Sequence, residues 1–206
     1  DERMQEIEIP CVIATTSAAS LEWKNVSSVS VDDETATSEM VQYLCKHGHK
    51  NIVVVGGYLS KNQISYARYL GCRKGFEACG LSFDPEQNYV ACRYSMEAGY
   101  DTVKELLCRN SDVTAIVALS DTIAFGAMRA IQDSGRRVPE DISVTGFDGI
   151  ELAQFSIPRI TTIKQDTQHI ATRSVELLIK HIHYNLKSEH DIAPHSLIEG
   201  ESVRTL

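Results

Sequence analysis

Short runs of β-branched residues recur along this chain, each followed by a stretch with helical periodicity. Cys11-Val12-Ile13-Ala14, Ile52-Val53-Val54-Val55, Ala115-Ile116-Val117-Ala118-Leu119 and Ile142-Ser143-Val144 are continuous apolar runs too short for a helix. Such runs read as strands buried on both faces of a parallel sheet. Val26-Ser27-Ser28-Val29-Ser30-Val31 is a further candidate with more alternation. Between the runs, Met40, Val41, Leu44 and Cys45 make an apolar stripe that stops at Gly48. Residues 68–79 read as a helix closed by Gly80, and Ser95 caps one whose buried face carries Gly99, Val103, Leu106 and Leu107. Asp121 caps another, with Ala124, Ala127, Met128 and Ile131 at helical spacing and Gly135 past its end. Asp166 or Thr167 opens a last helix through Ile170, Val175, Leu178, Ile179 and Ile182. Strand and helix alternating in this way predict an α/β architecture with parallel strands and right-handed crossovers.

The units are unevenly distributed. From Asp33 to Ile157 the chain supplies a full α/β run, and residues 191–206 are assigned to the same lobe. The flanks, 1–32 and 158–190, supply about two strands, then one strand and one helix. A sheet that small has exposed edges and little core. The flanks are therefore expected to form part of a second, N-terminal lobe that is incomplete in this chain, its first units lying upstream. Two lobes joined by crossing segments define a hinge and a cleft.

Charge and composition exclude several functions. The net charge is −8, with no long Lys/Arg run, so this segment by itself lacks the positive field that phosphate neutralisation requires. No stretch approaches the roughly 18 consecutive apolar residues of a membrane span. The opening Asp1-Glu2-Arg3-Met4-Gln5-Glu6 has no apolar core, so no secretory signal is expected. Six cysteines occur without any Cys-x-x-Cys pair, which favours free thiols and a reducing compartment, hence a cytoplasmic location. His181 and His183 point to different faces of one helix, poor geometry for a metal, and no metal or cofactor is expected. Gly56-Gly57-Tyr58 does not supply a dinucleotide-binding glycine pattern, and neither a Gly-x-Ser-x-Gly elbow nor a phosphate-cradling Gly-Lys-Ser/Thr loop is present. The chain reads as a binding protein and not an enzyme.

Three stretches carry a family resemblance. Residues 41–52, Val-Gln-Tyr-Leu-Cys-Lys-His-Gly-His-Lys-Asn-Ile, resemble a helix-to-strand passage of LacI/GalR regulators. Residues 118–131 and their continuation through Val138-Pro139-Glu140-Asp141-Ile142 to Gly146-Phe147-Asp148 resemble their strand–loop–helix–strand unit. Residues 157–166, Ile-Pro-Arg-Ile-Thr-Thr-Ile-Lys-Gln-Asp, are similar to their crossover back to the first lobe. The resemblance implies a periplasmic-binding-protein-like fold of type I, with two Rossmann-like lobes, an effector cleft between them, and an N-terminal helix-turn-helix head absent from this sequence.

It also implies site residues, at the carboxyl ends of strands where loops converge. Arg68, in Arg68-Tyr69-Leu70-Gly71, matches the family's ligand-binding arginine, a rigid fork of donors. Asp148 matches the family's strand-end aspartate, able to accept from vicinal hydroxyls or to pair with Arg68. The family's second aspartate is Gly149 here. Ser120 stands where relatives often carry Asn, Tyr94 at an aromatic stacking position, and Thr15 at the end of the first strand. Leu152 and Phe155 fall in a segment implied to form a homodimer interface. The expected function is that of the effector-sensing and dimerisation part of a LacI-type repressor. A small ligand, a sugar by preference, would control operator DNA binding through the missing head. A periplasmic sugar-binding protein of a transporter is the alternative with the same fold.

Overall fold

The β-branched runs pair into two sheets. In the computed structural model, residues 8–20, 23–60, 64–110, 112–184 and 187–206 are described. In chain order they form β1 (Cys11–Ala14), β2 (Val26–Val31), α1 (Asp33–Lys46), β3 (Ile52–Gly56), α2 (Ile64–Ala78), α3 (Pro85–Asn88), β4 (Tyr89–Ala91) and α4 (Met96–Arg109). There follow β5 (Ala115–Ala118), α5 (Asp121–Asp133), β6 (Ser143–Asp148), a 3-10 turn (Glu151–Gln154), β7 (Thr161–Gln165), α6 (Thr167–Tyr184), β8 (His190–Ala193) and β9 (His195–Ile198). The larger sheet has six strands in the order β4-β3-β5-β6-β7-β9, parallel except for the antiparallel β7–β9 pair. The smaller has three parallel strands, β1-β2-β8.

Period-two alternation explains why β3 and β5 are apolar throughout. Val53, Val55, Ile116 and Ala118 face α4 and α5, within a core that includes Val103, Leu107, Ile123 and Ile131. Ile52, Val54, Ala115 and Val117 face α1 and α2, with Met40, Leu44, Cys72 and Phe76. This second core runs on into the small lobe through Val29, Val31, Ile170, Leu177 and Ala193, so the lobes share apolar packing at the point where they join.

The lobe boundaries differ from the expected ones. β7, within the flank 158–190, pairs with β6 in the larger sheet, while β8, reaching into 191–206, pairs with β2 in the smaller. The chain crosses to the small lobe only after Gln165 and returns between Ala193 and His195. The residues that predict a strand do not say which sheet it joins, because pairing is decided by tertiary contacts. The helix expected over 68–79 extends further towards the N-terminus, to Ile64 among the described residues. In α6 the side against the small sheet is Ile170, Leu177 and His181, with His181 Nε2 2.8 Å from Ser27 Oγ. Val175, Ile179 and Ile182, expected on the apolar stripe, are exposed. Residues 1–7 lie outside the described residues, and with them the signal-peptide expectation. No helix among the described residues is long and apolar enough to cross a membrane.

Helices α4 and α5 approach closely because each carries a glycine at the contact. A Cβ on Gly126 would lie 2.1 Å from the Met96 carbonyl oxygen and 2.5 Å from the Tyr100 nitrogen. In an isolated helix, Gly→Ala stabilises by about 1 kcal/mol. Here both contacts are backbone and neither helix can yield locally. Gly126→Ala is expected to destabilise by roughly 1–3 kcal/mol through overpacking, read from the urea unfolding midpoint. A stabilised variant would show that the helix pair is looser than described.

Candidate functional site

The C-terminal ends of the large sheet and the N-termini of α1 and α2 converge on one buried arginine. Arg68 lies one turn into α2, on the buried face that also carries Ser65, Tyr69, Cys72 and Phe76. It is 2% exposed. Its Nε donates to Asp33 Oδ1 at 2.8 Å, Nη1 to the Leu119 carbonyl, and Nη2 to Asp148 Oδ1 at 3.3 Å. The guanidinium lies over the Phe147 ring, 3.6 Å from its centre. Asp148 Oδ1 also accepts from Gln165 Nε2 at 2.8 Å. Arg68 and Asp148 are thus brought together as an ion pair, and Asp33 and Gln165 join them.

Asp33 and Gln165 were not singled out in the sequence. Asp33 follows the Asp32 cap of α1, where acidic residues are ordinary partners of a helix N-terminus. Gln165 ends β7. Nothing in their local pattern separates them from structural residues; only the convergence of α1, α2, β6 and β7 does. Burial raises the Asp33 carboxyl above the usual range by more than Arg68 pulls it down, and does the same to Asp148.

The other expected residues are placed differently. Ser120, and not Asp121, is the N-cap of α5, its hydroxyl accepting from the Ile123 amide at 3.2 Å and contacting Thr122 Oγ1 at 2.8 Å. Its oxygen is therefore committed to the helix end. Asp121, the first helical residue, is fully buried: Oδ1 accepts from Thr162 Oγ1 at 2.6 Å, Oδ2 from the Ile150 amide at 2.8 Å. It thereby fixes the turn that follows Asp148. Gly146 makes room for it, since a Cβ there would lie 2.2 Å from Asp121 Oδ1. Tyr94 is 40% exposed, with its ring against Gly57 and its hydroxyl 3.2 Å from Ser65 Oγ, at the N-terminal end of α2. Thr15 is exposed and adopts φ +68°, and Asp148 adopts φ +109°. These are left-handed conformations that side chains rarely take, and they cluster where a ligand site imposes strain. The turn at Thr15 carries Thr16 and Ser17 into a recess of about 190 Å³ lined also by Asp33, Ile64, Tyr66 and Leu70. A larger groove, about 500 Å³, runs along Gln165–Gln168 and Pro194–Ser196, but the arginine and its two carboxylates are not part of it. Leu152, Phe155 and Ile157 are all exposed, Ile157 at 90%.

A family described as periplasmic binding protein-like domain matches residues 41–203. The chain belongs to the periplasmic binding protein-like family. The relatives and solved structures that it resembles include transcriptional regulators, some of them described as of the LacI family. It is 32% identical over 203 residues to the HTH-type transcriptional regulator MalR of Clostridium butyricum, covering 98% of this chain and 60% of that protein. Among solved structures, a LacI family transcriptional regulator from Enterococcus faecium with bound ribose superposes with a TM-score of 0.81 at 26% identity, covering 88% of this chain and 67% of that one. The complex of the transcriptional regulator CelR with cellobiose also gives 0.81, at 28% identity, covering 87% and 55%. The chain therefore spans about three fifths of the length of its MalR relative.

Burial pushes the Asp121 carboxyl up to about 6 from an ordinary 3.8, against the opposing pull of its hydrogen bonds. A raised folded-state value means the folded protein holds this proton more tightly than the unfolded chain. Its contribution to stability is then largest below about pH 4, is lost as pH rises to about 6, and is flat above that. The loss is on the order of 3 kcal/mol. Asp33 and Asp148 shift in the same direction and add to the slope. Urea unfolding of Asp121→Asn across this window is expected to show a flatter pH dependence than the parent chain, whatever constant offset the substitution brings. Parallel curves would mean that Asp121 is not the group titrating.

Proposed function

We propose that this chain senses a small effector, sugar-like in class, in the cleft between its two lobes, and that it does so as part of a repressor whose DNA-binding head lies outside the sequence. The observation that carries the reading is the buried Arg68 shared by Asp33 and Asp148 at the junction of the lobes. A ligand hydroxyl that satisfies these groups is favoured, while one lacking it leaves a buried charge unpaired. The relatives support the reading over a transport protein, being regulators, two of them holding ribose and cellobiose. No reaction is assigned to the site. The ligand would act by preferring one arrangement of the lobes and shifting their equilibrium. In a dimer, that shift would change the spacing of two DNA heads on an operator.

Heat unfolding of the chain with ribose, cellobiose and other mono- and disaccharides tests this. A sugar at about 100 times its Kd is expected to stabilise the native state by roughly 2.7 kcal/mol. Asp148→Asn and Arg68→Met should each abolish that shift, measured against the variant's own ligand-free midpoint. A shift that survives both would place the ligand elsewhere.

The homodimer surface is proposed to include Leu152, Phe155 and Ile157, exposed side by side after the Asp148 turn. Phe155→Glu is expected to leave the unfolding midpoint within about 0.5 kcal/mol, as at an exposed position, while lowering the sedimenting mass from dimer to monomer. An unchanged dimer would remove this surface from consideration.

A further inference from the structure

The hydrogen-bonding and charge inventory of the cleft constrains what kind of ligand it takes, given that the sensing reading above holds. Arg68 has five N–H groups, of which Nε, one Nη1 and one Nη2 hydrogen are engaged by Asp33, Leu119 and Asp148. Two remain. Acceptors stand beside the arginine as well: the second oxygens of Asp33 and Asp148 have no hydrogen-bond partner among the described residues. The Gln165 side chain is 7% exposed, and its Oε1, beside Asp148, has none either. Charge points the same way, with two carboxylates sharing one guanidinium and the buried Asp121 behind them. Lys164 stands opposite Asp148 in the strand register but is exposed, on the other face of β7 from Gln165. No other cation pairs with the cluster among the described residues.

We propose that Asp33, together with Asp148, makes this cleft selective for an uncharged polyhydroxyl ligand over its phosphorylated or carboxylated counterparts, with Asp33 setting the preference. Sugar hydroxyls donate to the open carboxylate oxygens and to Gln165, and accept from the two free guanidinium hydrogens. The phosphate group of an ester adds acceptors and negative charge at a net negative site, screened little at the buried Asp33. Without Asp33 the arginine would pair with Asp148 alone, and the site would be less negative by one charge. Asp33 alters that balance and also holds Arg68 Nε in place.

Asp33→Asn separates the two roles, since its amide oxygen can still accept from Arg68 Nε while the charge is gone. Titration calorimetry and heat unfolding would compare ribose, glucose and cellobiose with the phosphate esters of the first two, on the parent chain and on Asp33→Asn. The phosphate ester is expected to bind the parent chain at least about tenfold more weakly than its sugar, and Asp33→Asn to narrow that gap by about tenfold. Asp33→Ser, which also removes the charge, should narrow it too and serves if the first variant folds poorly. A phosphate ester that binds the parent chain as well as its sugar, or a gap that both variants leave unchanged, would overturn the assignment while leaving the sensing reading intact. If neither the sugars nor the esters bind the parent chain, the sensing reading falls and this one with it.

Discussion

Removing an arginine from water is costly, and Arg68 is nearly completely removed. The cost is met by several partners around the guanidinium: Asp33 at one edge, Asp148 at another, the Leu119 carbonyl at a third, and the Phe147 ring against one face. Each partner comes from a different part of the chain, so the arrangement exists only when α1, α2, β5 and β6 are all in place. Much else follows from it. Gly71 lets α2 lie against the start of α1, where a Cβ would be 2.3 Å from the Glu34 carbonyl, and that proximity brings Asp33 within reach of Nε. Gly146 and Asp121 hold the end of β6 so that Asp148 turns back toward the arginine. Breaking such a buried cluster by removing one member is typically far more damaging than its net worth, because the remaining charges stay buried.

A sequence reading recovered the parts of this picture that are encoded locally. The continuous apolar runs of β3 and β5 mark strands of a parallel sheet because both faces of those strands are buried. Ser95 and Gly135 marked helix ends by chemistry that acts within a few residues. Arg68 and Asp148 were legible through the family pattern around them. Asp33 and Gln165 were not, since an acid in a helix's first turn and an amide at a strand's end are ordinary in isolation. The exchange of roles between Ser120 and Asp121 has a similar cause. Both residues can cap a helix, and the choice was made by Thr162 and the Ile150 amide, distant groups that claimed the carboxylate. The sheet membership of β7 and β8 was likewise decided by tertiary pairing. The apolar residues of α6 were correctly seen as a helix, yet its contact with the small sheet is made by Ile170, Leu177 and His181, a face that Val175 and Ile179 do not share.

The chain passes between its two sheets at β2–α1, β7–α6 and β8–β9. Asp33 is the first residue of α1 beyond one of these passages, and Gln165 the last residue of β7 before another. Two members of the charged cluster, Asp33 and Gln165, are therefore set by the places where the chain changes sheet, while Arg68 and Asp148 come from the large lobe. A rearrangement of the lobes of the kind proposed would therefore change the bonds of Asp33 and Gln165 directly, with no intervening relay of side chains to carry it.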